Sequence, residues 1–206
     1  MKNKTILLLS ISLFCVLSSF SQEVKKTCYV YRTYEDLLSR KNGLERNYFP
    51  LGLDEDVFEY SVEGSKKNKR FKMKDSSYVG YETYLGKYLK ARNYYNQKLG
   101  RFTYILGGDK NVFMTGSGRD ATVNYFSDGY ASSIFGDQFF SWYFVKMEGD
   151  KQVYINDILE LIKDDTELVK QYDEEFVKVN NVRIAKQNDF KSDMKYLRLY
   201  LEKHKE

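Results

Sequence analysis

Asp56-Val-Phe-Glu-Tyr-Ser-Val-Glu63 is the stretch that decides the fold class of this chain. Phe58, Tyr60 and Val62 point one way, while Asp56, Glu59, Ser61 and Glu63 point the other. That is the two-residue period of a half-buried strand. A polar turn over residues 64–68 leads into Arg70-Phe-Lys-Met-Lys74, where Phe71 and Met73 alternate with basic residues. The two segments together read as a β-hairpin with one wet face.

The same grammar repeats toward the C-terminus. Residues 78–82 and 87–92 flank a turn near Gly86, and residues 101–106 and 110–115 flank Gly107-Gly108-Asp109. After a looser loop, 116–120, residues 121–126 and 130–135 surround Asp128-Gly129, a strong signal for a tight hairpin. Residues 139–147 and 151–155 surround Gly149-Asp150. Eight to ten short strands joined mostly by tight turns predict an antiparallel β meander, sandwich or barrel-like.

Helical signals lie on either side. Thr33 followed by Asp36 resembles a capping box and predicts a short helix over 34–40 that turns Leu37 and Leu38 inward. Asn42-Gly43 is the expected stop, since both residues tolerate positive φ. Pro50, the only proline, sits in the loop 48–52. No glycine or proline follows Gly149. There Asn156 is the expected cap of a helix carrying Ile158, Leu159 and Ile162. Asp164-Asp165 breaks it, and Thr166 is the expected cap of a second helix with Leu168, Tyr172 and Phe176 on one stripe. Asn180-Asn181 interrupts again before a final helix with Phe190, Met194, Leu197 and Leu201. The expected class is therefore α+β: a β-rich domain over 22–155, with its short N-terminal helix, and C-terminal helices over 156–206 packed on it.

Residues 1–21 carry the address. Lys2 and Lys4 precede an apolar run over 6–17, and Ser19 and Ser21 supply the small residues of a signal-peptidase site before Gln22. The run is shorter than the roughly 20 residues that cross a bilayer. An exported chain with no integral membrane span after leader cleavage is the expectation. Cys15 would leave with the leader, and Cys28 alone cannot form an internal disulfide. The single histidine, His204, stands near the C-terminus. Without a histidine in the body, Ser-His-Asp and Cys-His catalytic arrangements cannot be assembled, nor can zinc sites built from His and Cys. The formal net charge of +4 falls by two with Lys2 and Lys4, and so small a balance argues against a nucleic-acid partner.

Few other features carry chemistry. The run Lys66, Lys67, Lys69, Arg70, Lys72 and Lys74 reads as the solvated tip and outer face of a hairpin. The glycine-rich loop 115–122, with Arg119, lacks the Gly-Lys-Ser/Thr of a phosphate-binding loop. Asp54-Glu55-Asp56 and Asp164-Asp165 lack the spacing of a calcium loop. Carboxylate catalysis is the one common hydrolytic route left, with Glu82, Asp120, Asp128, Asp137 and Glu148 as its candidates. Most tyrosines and phenylalanines belong to strand packing. The rest leave room for a binding surface, for which Tyr81, Tyr84, Tyr88, Trp142 and Arg119 are the candidates. No catalytic, cofactor-binding or metal-binding residue is assigned.

Several segments resemble a group of small exported proteins of unknown function from Bacteroidota-type Gram-negative bacteria. They are the leader ending Ser19-Phe-Ser-Gln22, Tyr31-Arg-Thr-Tyr-Glu-Asp-Leu-Leu38, Val79-Gly-Tyr81 with the tyrosine-rich stretch after it, and Asn124-Tyr-Phe-Ser127. The acidic-hydrophobic helices at the end belong with them. The resemblance implies a periplasmic or outer-membrane-associated protein and brings no catalytic residues. The functional expectation is a non-enzymatic envelope protein. It would bind a protein or glycan partner through aromatic strand faces or the C-terminal helices. A carboxylate-dependent glycan hydrolase is the alternative.

Overall fold

The computed structural model describes residues 26–49, 57–60, 68–117, 122–135, 141–175 and 190–205. The expected leader, residues 1–21, lies outside this set. The fold is α+β, dominated by antiparallel strands. The first half holds β1 (Thr27–Tyr31), helix α1 (Tyr34–Ser39), β2 (Leu44–Phe49), β3 (Val57–Tyr60) and β4 (Lys69–Lys72). Then come β5 (Gly80–Leu85), β6 (Tyr88–Asn96), β7 (Arg101–Gly108) and β8 (Val112–Ser117). A short hairpin follows, β9 (Thr122–Tyr125) with β10 (Ala131–Phe135), then β11 (Ser141–Glu148) and β12 (Lys151–Ile155). Helices α2 (Ile158–Ile162), α3 (Thr166–Glu175) and α4 (Phe190–Lys203) end the chain.

Ten strands share one sheet in the order β12-β11-β8-β7-β6-β5-β1-β2-β3-β4, and β9–β10 forms a sheet of its own. Two departures from a sequential meander matter. β1 inserts between β5 and β2, antiparallel to both. β11 pairs directly with β8, so the β9–β10 hairpin is left out of the ladder. β2 was not legible as a strand. Its alternation puts Arg46 between Leu44 and Tyr48, and the charge hides the apolar period.

Register separates two faces. Cys28 and Val30 stand opposite Thr83 and Tyr81, and Tyr48 opposite Phe58. That face is apolar: Cys28, Val30, Phe58, Met73, Tyr81 and Phe102 form one buried cluster. Cys28 is fully buried, its thiol donating to the Arg46 carbonyl at 3.4 Å. On the other face lie Tyr31, Tyr94, Ile105, Phe113 and Val145, covered by Tyr34, Leu37 and Leu38 of α1. The C-terminal helices pack on the β7–β8–β11 region, where Leu106, Met114 and Phe144 meet Ile158, Ile162, Leu168, Tyr172 and Leu197.

The helix ends follow local chemistry, shifted slightly from the expected positions. Thr33 caps α1 as expected, its hydroxyl oxygen accepting from the Asp36 N–H at 3.1 Å. The stop is Arg40, which takes the left-handed conformation at φ 55°, with Asn42 also at positive φ and Gly43 not needed there. Asp157 rather than Asn156 caps α2, accepting from the Glu160 N–H at 2.8 Å. The Glu160 carboxylate reaches back to accept from the Asn156 N–H at 3.0 Å. Asp165 rather than Thr166 accepts from the Leu168 N–H at the start of α3. In both cases a carboxylate one residue away is the stronger acceptor.

Gly80 is a point of close approach between α1 and the sheet. A Cβ there would collide with the Leu37 side chain and with the carbonyl oxygen of Asn93. Gly86, at φ +61° in the β5–β6 turn, has open space around the same position. Gly80→Ala is therefore expected to cost about 2–3 kcal/mol in denaturant unfolding, as overpacking against backbone does. Gly86→Ala should lose only about 1 kcal/mol, through backbone strain alone. Equal losses at the two positions would contradict this packing.

Candidate functional site

The polar centre of the sheet is Glu82 on β5. It faces Tyr29 of β1 on one side and Arg92 of β6 on the other. The carboxylate is fully buried. One oxygen accepts from Arg40 Nε at 2.9 Å. The other accepts from the Tyr31 hydroxyl at 3.0 Å and the Tyr84 hydroxyl at 2.8 Å. Burial, followed by the neighbouring Glu82 charge, pushes both phenols well above the ordinary tyrosine range. With its oxygens taken by three donors inside the fold, Glu82 is a structural tie rather than an acid or base facing a substrate.

A second buried network surrounds Asn96 at the end of β6. Its amide donates to the Tyr94 and Tyr143 hydroxyls, and its oxygen accepts from Tyr154 and from the Leu99 N–H. Gln152 accepts from the Gln97 N–H and donates to the Tyr95 carbonyl. These bonds fasten the β6–β7 turn to the β11–β12 hairpin. The hydroxyls of Tyr94, Tyr143 and Tyr154 are consumed in this way.

Of the residues expected to form a binding surface, the four described ones differ in exposure and face. Tyr81 is fully buried, with its ring against Tyr48, Phe58 and Phe102, so it is core and offers no contact surface. Tyr84 is half-buried on the opposite face, tied to Glu82 and edge-on to Tyr29. Tyr88 is the exposed one, 69% accessible beside Lys87 at the β5–β6 turn. Trp142 is half-buried on β11, donating from Nε1 to Asp193 at 2.9 Å and standing edge-on to Phe190. Arg119 lies outside the described residues, with the rest of the loop 118–121.

The candidate acids are equally dispersed. Glu82 is sealed in the sheet, Asp128 pairs with Arg198 at 3.1 Å, and Glu148 ends β11 at an exposed turn. Asp120, Asp137 and the triplet Asp54-Glu55-Asp56 lie outside the described residues. Among the described residues no group of three or more His, Cys, Asp or Glu side chains is placed to hold a metal ion.

One recess, not anticipated from the sequence, brings distant segments together. It is a groove of about 410 Å³ between the β9–β10 hairpin and α4. Phe126, Phe190, Met194 and Leu199 supply its apolar lining, with Arg198 and Glu202 among its charged groups. The Arg198 guanidinium lies 4.2 Å from the Tyr130 ring centre and 5.6 Å from that of Phe126. Phe126 is 54% exposed, an unusual state for a phenylalanine beside a packed helix. The turn signal Asp128-Gly129 and the stripe of α4 were each readable in the sequence. Their meeting was not, because a hairpin outside the main ladder leaves no register to read.

Comparison with protein-family models, with curated proteins and with solved structures returns no match.

The buried phenols set an alkaline limit on stability. Burial pushes Tyr34 up to about 12 and raises Tyr31, Tyr84, Tyr94 and Tyr125 further. The unfolded chain loses these protons near the ordinary value of 10.0. Between that value and the folded-state values the native state binds more protons, so stability falls as pH rises. The stabilisation is complete below about pH 10 and is lost progressively above it. Alkaline titration should show one cooperative transition in which tyrosinate absorbance rises together with loss of β-sheet circular dichroism. Smooth ionisation of most tyrosines before any loss of structure would refute the buried network.

Proposed function

We propose that this chain is an exported, non-enzymatic envelope protein that binds a protein partner through the groove between the β9–β10 hairpin and α4. The observation that carries the reading is the exposed Phe126 ring at the mouth of an apolar recess with charged side chains around it. Hydrophobic anchors in such pockets dominate the energetics of protein–protein contacts. A glycan partner is less well served here. Sugar hydroxyls need clustered amide and carboxylate partners, whereas only Ser132 and Glu202 of the lining offer side-chain acceptors.

The proposal moves the contact surface from the strand faces to the C-terminal helix. Tyr81, Tyr84 and Trp142 are committed to internal packing and hydrogen bonds, which leaves Tyr88 as the exposed ring of that set. Of the acids considered for the hydrolase alternative, the described ones, Glu82, Asp128 and Glu148, are held by separate partners or turns and supply no converging pair. Export and a periplasmic or outer-membrane-associated location remain part of the proposal, resting on residues 1–21. Among the described residues, no helix is long and apolar enough to cross a membrane.

Site-specific photo-crosslinking in the native envelope tests the surface. A photoreactive residue at Leu199 should give a discrete adduct of fixed mass that Phe126→Asp abolishes, while the same probe at Tyr88 gives none. A glycan array hit with no adduct from Leu199 would overturn the proposal in favour of a saccharide ligand.

A further inference from the structure

Arg92 occupies the middle of β6 with 3% of its surface exposed. It stands directly opposite Glu82 in the β5–β6 register, so the two side chains share one face of the sheet. No ion pair closes between them. Glu82 gives one oxygen to Arg40 and the other to Tyr31 and Tyr84. Arg92 Nε is buried with no hydrogen-bond partner. A guanidinium does not give up its proton in a protein, so neutralisation is not a way out.

Two guanidinium groups therefore meet one carboxylate, and the excess positive charge falls on the more deeply buried of the two. Among the charged and titratable groups acting on Arg92 are Arg40, which repels it, Glu82, which attracts it, and the phenols of Tyr125 and Tyr130. The phenols come from the β9–β10 hairpin and carry no charge at neutral pH. β9 lies against β6 here, where β7 has left it. β6 and β7 pair only from Asn93 with Tyr104 onward to the turn, and Tyr125 fills the opening by donating to the Ile105 carbonyl at 2.9 Å. A buried cation without its own anion is among the costliest arrangements a fold can hold.

We infer that Arg92 and Arg40 form an internal oxyanion-binding site beside Tyr125 and Tyr130, taking a small carboxylate- or phosphate-type anion. The planar guanidinium fork matches two oxygens of such a group. Arg40 connects the site to solvent. Its side chain is 32% exposed and lies against Gly129 of the hairpin turn, where an added Cβ would collide with the guanidinium. The site shares the Tyr130 ring with the groove on α4, since Arg198 of the groove lies 4.2 Å from that ring, but neither inference depends on the other.

Thermal unfolding of the full chain at constant ionic strength provides the test, with chloride replaced stepwise by phosphate, sulfate or acetate. A specific site gives a saturable rise in Tm, about 5–10 °C at a hundredfold excess over Kd. Preferential exclusion of sulfate or phosphate gives instead a rise that grows without saturating. Arg92→Met should remove the saturable part. Arg40→Gln should remove it as well, because it leaves Glu82 and Arg92 balanced; this variant decides the matter if Arg92→Met does not fold. The acetate arm against the phosphate arm separates a carboxylate from a tetrahedral ligand. An unsaturable rise, or the same saturable rise in wild type and Arg40→Gln, would overturn the inference.

Discussion

The rest of the molecule depends on the buried carboxylate of Glu82. It ties together three elements: the C-cap of α1 through Arg40, the inserted strand β1 through Tyr31, and its own strand through Tyr84. Charged groups are rarely left this deep unless they are paired and hydrogen-bonded. Such a tie adds little net stability compared with an apolar filling, but it is sensitive to position. A slip of β1 by one residue would move Tyr31 to the other face and leave the carboxylate short of a donor. The ion pair thus works with the apolar pattern of Cys28 and Val30 to hold one register for a strand that arrives from far away in sequence.

The second organising feature is the parting of β6 and β7. Their ladder covers only the turn-proximal residues, and the β9–β10 hairpin covers the opening. That placement has two consequences. It brings Tyr125 and Tyr130 to Arg92, and it lifts Phe126 onto the rim of α4. A hairpin excluded from the main ladder is free to serve as a contact element, because its edges are not needed to close the sheet. The groove on α4 and the guanidinium pair thus share the hairpin that carries Tyr125, Phe126 and Tyr130.

How much of this was legible in the sequence varies with the range of the interaction. Hairpins were legible because their turn chemistry is local: Gly86, Gly149 and Asp128-Gly129 mark turns that the structure contains. Helix stripes were legible for the same reason, and Met194, Leu197 and Leu201 are buried as their spacing implied. The place of β1 between β5 and β2 was not, since no local pattern names a distant partner. The burial of Tyr81, away from Tyr84, has a simpler reason. Residues of odd and even number face opposite ways on a strand, so Tyr81 and Tyr84 could not have shared a surface while β5 was regular. The bulge between Thr83 and Tyr84 alters the pairing beyond it, yet Tyr84 stays beside Glu82. The candidate site was the least legible part, because Phe126 and Arg198 meet only through the fold.

The most direct measurement of the account is a double-mutant cycle on Arg40 and Glu82, using Arg40→Gln, Glu82→Gln and the double variant in urea unfolding. A carboxylate that fixes the helix cap to the sheet should give a coupling energy of about 2 kcal/mol, within the range found for contacting polar partners. Additive losses, with a coupling below about 0.5 kcal/mol, would show that Glu82 does not fasten the cap of α1 to the sheet and is not the constraint on which the structure rests.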